Sequence, residues 1–286
     1  MIKIDHPDFD LKSVLDACLN SDARSDSINI YIPKLRPYIE SSGIFYEQSA
    51  QVNNFHILPI YSFLCHSFFN NEDIDFLEKL YSYRLQVKPD GRYFYKQLTD
   101  EISDFCPYCN HGDVSQVDHF IPQTKFCIWN INPSNLVPIC ANCNKTKDDI
   151  YGTSEETNLL HPYYDNLNRD QWLFAQVSPN TSRHKYKVIY NCLPSTSSYN
   201  AIETARLQNY FQKLKLAERF TRIARSQSRD ITNKVNLVLA KKTDIARRNY
   251  LRRIVTDKTN DYGLNHWSVA LYQSFLNYSG NLDDFK

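Results

Sequence analysis

The chain has 286 residues, with 33 Lys+Arg against 32 Asp+Glu, 42% hydrophobic and 14% aromatic residues. This much apolar material excludes a disordered chain, and the length sets an expectation of one to two domains. No run approaches the ~20 apolar residues that span a bilayer, and the N-terminus, "MIKIDHPDFDLKSVLDACL", is acidic where a secretory signal is basic and apolar. A soluble, cytoplasmic protein with no membrane partner is therefore expected.

In chain order, "LKSVLDACL" and "EDIDFLEKLYSYRL" space apolar residues by three and four, the helical period, so residues 1–100 read as a helical N-terminal region. "KPDGRY" at 88–93 reads as a turn from its Pro-Asp-Gly content, and "YFYKQLTDEIS" as a helix leading into the first cysteine pair. Beyond the second pair, "QWLFAQV" and "KYKVIYNCL" read as strands of a hairpin joined by "SPNTSRH". From Asn200 the period is helical again. Asn200 with Glu203 fits a capping box, and Leu207, Phe211, Leu214, Ala217, Phe220 and Ala224 form one apolar stripe. Arg219, Arg222, Arg225 and Arg229 run along the same segment.

The charge is unevenly placed. Residues 1–100 hold 10 Lys+Arg against 14 Asp+Glu, residues 101–200 hold 7 against 10, and residues 201–286 hold 16 against 8. A basic last third points to a polyanionic partner, with Arg219, Arg222 and Arg225 as candidate nucleic-acid contacts; a solvated helix face is the alternative.

The eight cysteines include two Cys-x2-Cys pairs, Cys106 with Cys109 and Cys140 with Cys143. Such pairs supply thiolates from tight turns, and four make a closed tetrahedral site, so a structural Zn2+ is expected. Cys18, Cys65, Cys127 and Cys192 stand alone and read as buried free thiols. The 30 residues between the pairs exceed the usual ribbon gap, so something is inserted: "VSQVDHF" and "NLVPIC" as short strands, then a helix from "NKTKDD". Asp118 and Asn144 offer hard oxygen ligands suited to Mg2+ or Mn2+. An unperturbed imidazole titrates near neutrality, so His119 reads as a general base acting on water. Neighbours on a regular strand face opposite sides, and a local bend near Pro122 is one way to bring Asp118 and His119 to one cleft.

Asp118-His119, Asn135 in "SNLVPIC", Asn144 in "CANCNKTK" and the two cysteine pairs together resemble the HNH, or ββα-metal, endonuclease family in its zinc-stapled form. The resemblance covers about residues 105–148. It implies a catalytic set of His119 as base, Asp118 and Asn144 as catalytic-metal ligands, and Asn135 bracing the loop and orienting His119. The family often has His where Asn144 stands, and Asn still offers an oxygen. Lys147 reads as a phosphate contact or as a solvated helix lysine. His161, in "HPYYD", lies where such domains carry a trailing segment, and packing is the plainer reading for it.

The expected architecture is α+β: a helical region at 1–100, a zinc-stapled ββα centre at 101–166, and a hairpin with basic helices at 167–286. The expected function is metal-dependent hydrolysis of nucleic acid, DNA in the first place. By family analogy alone the setting is an anti-phage effector with a protein partner that activates or recruits it. The rival is a zinc-stapled nucleic-acid-binding or scaffolding module without catalysis.

Overall fold

The computed structural model describes residues 2–20, 26–60, 62, 69–100, 102–180, 186–227, 230, 233–234 and 243–285. Among the described residues the chain is mainly helical with two small antiparallel sheets, and it divides into two compact units, Ile2–Asn166 and Leu167–Lys286.

In the first unit, α1 (Leu11–Asn20) starts where the Asp10 carboxylate accepts the Ser13 N–H at 2.8 Å, and it buries Val14, Leu15, Cys18 and Leu19. The long α2 (Asp26–Gln51) and α3 (Asn71–Lys79) follow, the latter opened by a capping box between Asn70 and Asp73. α3 runs without a break into a π-helical segment, Leu80–Leu85, where Gln86 N–H reaches back five residues to the Tyr81 carbonyl at 3.1 Å.

"KPDGRY" is not a turn. α4 spans Pro89–Asp100, because proline at the start of a helix needs no N–H and Asp90 suits its positive end. Gly91 lets this helix close on the π segment: a Cβ there would collide with the Arg84 carbonyl oxygen.

Strand β1 (Gln116–His119) pairs antiparallel with β2 (Leu136–Ile139), Asp118 opposite Val137 and His119 opposite Leu136, and α5 (Ala141–Lys147) follows at once. The core beneath them centres on fully buried Trp129, whose indole N–H donates to the Ser42 carbonyl at 3.0 Å, and on Tyr46. Cys18 and Cys127 are buried here, and burial pushes both thiols up to about 12. Cys192, in the second unit, is half-buried, and Cys65 lies outside the described residues.

In the second unit β3 (Leu173–Pro179) pairs with β4 (Tyr186–Cys192) in the expected hairpin; residues 181–185 of its connection lie outside the described residues. Alternation buries Leu173, Val177, Tyr186, Val188 and Tyr190. The Asn200–Glu203 capping box forms and opens α6 (Ala201–Lys213). The expected single stripe is interrupted. Lys215 takes a left-handed φ of 50°, and α7 (Leu216–Ser226) starts in a new phase with Leu216 buried. α8 (Asp244–Tyr262) and the almost wholly buried α9 (Trp267–Leu276) complete the unit, with Tyr190 donating to the Trp267 carbonyl at 3.1 Å.

Candidate metal centre and catalytic cleft

Cys106, Cys109, Cys140 and Cys143 are buried, with their sulfurs all within 4.8 Å of one another, so the four are placed to hold a metal ion. The first pair sits on a knuckle in which Asn110 N–H bonds the Cys106 carbonyl at 2.8 Å and Gly112 N–H points at Cys109 Sγ at 3.5 Å. The second pair opens α5, where Cys143 N–H approaches Cys140 Sγ at 3.4 Å. Hydrogen bonds from Cys106, then Cys109 and Cys143, hold the Cys140 thiol well below its ordinary pKa. Cys109 falls to about 7, chiefly through Cys106. Cys106 and Cys143 move the opposite way, upward, so the four thiols share their protons as one hydrogen-bonded cluster.

Beside this centre lies a cleft of about 580 Å³ lined by Asp118, His119 and Asn144, with Gln116, Lys145, Asp148, Tyr81, Gln86 and Tyr95. β1 ends at His119, and both residues of the Asp-His pair reach this one cleft.

His119 is 3% exposed. Its Nε2 lies 2.9 Å from the Asn130 carbonyl, which only accepts, so this nitrogen carries the proton and Nδ1 is left with a lone pair. Burial lowers the pKa to about 4, and the ring is neutral at neutral pH. Tyr81 packs edge-on against the imidazole at 4.3 Å and donates its hydroxyl to the Val117 carbonyl at 3.1 Å.

Asn144 donates its amide to Gln116 Oε1 at 2.6 Å, so the carboxamide oxygen remains as its acceptor. Gln116 lies two residues before Asp118, on the same face of β1.

Lys147 is not a surface residue. Its side chain has no exposure, and Nζ donates to the His119 carbonyl at 2.7 Å and lies 2.8 Å from Asp118 Oδ2. The expected phosphate contact is corrected accordingly: α5 turns this position inward, and a buried ammonium needs a carboxylate and a carbonyl for partners. Asp118 Oδ2 is itself buried and has no donor in hydrogen-bonding direction, since the ion pair lies off that axis.

Asn135 is fully buried and does not reach the cleft. Its Oδ1 accepts from Ile121 N–H at 2.7 Å and from the Tyr46 hydroxyl at 3.2 Å, while Nδ2 donates to the Ile121 and Trp129 carbonyls. It ties down the chain that leaves β1 and touches His119 only through that chain. His161 is core, stacked on Phe55 at 5.0 Å, with Nε2 against the Ser134 carbonyl. In the second unit, exposed Arg222 and Arg225 line a groove of about 480 Å³ beside Val188 and Ile189 of the hairpin, whereas Arg219 is half-buried; Arg229 lies outside the described residues.

Tyr81, Asn130, Gln116 and Tyr95 are site residues that the sequence reading did not single out. Only Gln116 had a signal, its two-residue spacing from Asp118.

No family model matches the chain, and no solved structure does. Over 218 residues it is 26% identical to protein ea31 of Escherichia phage lambda, covering 70% of this chain and 71% of that one. Among the described residues no helix is long and apolar enough to cross a membrane.

The burial of Lys147 predicts a stability effect. Removing one partner of a buried ion pair costs about 3–5 kcal/mol, against roughly ±0.5 kcal/mol for a surface change. Lys147→Met is expected to lower unfolding free energy in urea by the larger amount; a loss in the surface range would return this lysine to solvent.

Proposed function

We propose that the protein is a metal-dependent endonuclease of HNH type that hydrolyses phosphodiester bonds of nucleic acid, with DNA as the first substrate to test. The observation that carries this reading is the meeting, in one cleft, of a neutral imidazole with a fixed tautomer and two oxygen donors from different elements, Asp118 and Asn144. A scaffolding module has no use for that arrangement.

The donor set suits a hard divalent cation: Asp118 brings a carboxylate already held through Oδ2 by Lys147, and Asn144 a carboxamide oxygen left over by its bond to Gln116. Mg2+ or Mn2+ held there would neutralise charge that develops on the phosphodiester oxygens. His119 accepts the proton of the attacking water at Nδ1, because Nε2–H is committed to the Asn130 carbonyl. Lys147 keeps Asp118 in place, and exposed Lys145 at the cleft offers positive charge to the substrate phosphate. Backbone contacts over a wider footprint fall to Arg219, Arg222 and Arg225.

The four-cysteine cluster is read as a structural zinc site. Four thiolates complete a tetrahedral shell and leave no open position for substrate, which separates its role from that of the oxygen site.

The deciding experiment compares wild type with His119→Ala on plasmid, linear duplex, single-stranded DNA and RNA, with Mg2+ or Mn2+ and with EDTA. Loss of a general base is expected to lower the cleavage rate by ~10²–10⁴ with substrate affinity nearly unchanged. Undiminished cutting by a folded His119→Ala protein removes the assignment. Elemental analysis should give about one zinc per chain and Cys140→Ser should melt lower; a preparation free of zinc with an unchanged melting temperature contradicts the structural role. Changing Arg219, Arg222 and Arg225 together to Ser is expected to flatten the dependence of log affinity on log salt by up to about 0.9 per lost phosphate contact on duplex. A lower melting temperature with an unaltered salt slope would instead make them internal ion-pair partners.

A further inference from the structure

The cleft has a second wall to which hydrolysis gives no task. Three rings run in series along it. His119 meets Tyr81 at 4.3 Å, Tyr81 meets Tyr95 at 6.5 Å, and the Arg92 guanidinium lies 4.9 Å over the Tyr95 ring. Exposure rises along the series: His119 and Tyr81 are buried, Tyr95 is half-buried and Arg92 is exposed. Arg92 is held by donating to the Gln86 carbonyl at 2.9 Å, and the Gln86 side chain lines the cleft beside Tyr95.

α4, which carries Arg92 and Tyr95, packs by one side and leaves the other to solvent. Of its twelve residues only Gly91 and Leu98 are buried, while Arg92, Tyr93 and Lys96 are exposed, Tyr93 by 60%. Aromatic rings interleaved with cations on an open face are the composition that binds a nucleic-acid strand, the rings taking bases and the cations taking phosphates. A duplex has no free base face to offer, since its bases are stacked on each other; only an unpaired or extruded base can lie on a tyrosine. The cleft volume of about 580 Å³ is also that of a site enclosing one small ligand.

We propose that Tyr95, with Arg92 and Gln86, forms a platform that stacks an unpaired base next to the scissile phosphate, so that the substrate of this site is single-stranded or locally unpaired nucleic acid. The proposal rests on the nuclease reading and adds the substrate class to it. Arg92 covers one face of the Tyr95 ring and adds charge, the opposite face takes the base, and the Gln86 carboxamide, hydrogen-bonded to Tyr81, turns its remaining group to the base edge.

The test uses the full chain in the non-cleaving His119→Ala background, titrated with a fluorescent single-stranded oligonucleotide and with its duplex. Stacking on one aromatic ring contributes roughly 5- to 150-fold in affinity. Tyr95→Leu is expected to lose that factor on the single strand and nothing on the duplex, while Tyr95→Phe, which keeps the ring, retains it. Gln86→Ala, which removes the group at the base edge and no charge, should also weaken the strand alone and serves in place of Tyr95→Leu if the latter does not fold. Equal weakening of strand and duplex, or Tyr95→Phe as poor as Tyr95→Leu, overturns the platform. Wild type with Mg2+ or Mn2+ provides the separate arm. Tyr95-dependent strand binding without any cutting leaves the platform standing and removes hydrolysis, whereas cutting that ignores Tyr95 does the reverse.

Discussion

The convergence of four sulfurs is the constraint on which the cleft depends. β1, β2 and α5 hold four, four and seven residues, too few to bury a core of their own. Cys140 follows β2 directly and caps α5, so where its sulfur is fixed the first turn of that helix is fixed too, and with it Asn144 and Lys147. Cys106 and Cys109 hold the approach to β1 from the other side. Without this closure nothing local would keep Asn144 against Gln116 or Lys147 against Asp118.

Around that anchor the main chain at and beside Asp118-His119 is held by side chains from other elements. Tyr81 takes the Val117 carbonyl, Lys147 the His119 carbonyl, and Asn135 both the N–H and the carbonyl of Ile121. Each is a side chain satisfying main-chain groups at the end of a short strand, where a ladder would otherwise run out. Tyr46 then couples Asn135 to α2, and His161 couples the Ser134 carbonyl to the same hydroxyl. Side chains held in this way enter the cleft with their orientation already chosen, which spares a reaction the cost of ordering them.

What the sequence made legible was local. Cys-x2-Cys spacing, the alternation in "VSQVDHF", the hairpin strands and the Asn200–Glu203 box each depend on residues a few positions apart, and each is present in the fold. What it hid depended on distant partners. Lys147 looks like any helix lysine until the His119 carbonyl and Asp118 arrive 28 and 29 residues away in sequence to receive it. "KPDGRY" carries turn residues, yet a neighbouring π segment makes Gly91 a contact point and Pro89 a helix start. The apolar stripe past Asn200 keeps a helical period across Lys215, and periodicity alone gives no sign that the backbone turns left-handed there. Asn135 stood in its motif by residue type, while its four hydrogen bonds became visible only with the loop folded round it.

The π-helical segment at Leu80–Leu85 sets the phase of everything after it. Its wide turn carries one residue more than an α-helical turn would, and each residue of an α-helix advances the chain by about 100°. The loss of a single residue here would restore ordinary winding and rotate the downstream chain by about that angle, swinging Gln86 and the start of α4 off the cleft while the sulfur cluster and β1 stayed where they are. The reading frame of this wall is thus kept by length rather than by side-chain chemistry. Insertions or deletions there would uncouple the two sides of the cleft even with every side chain of the segment kept.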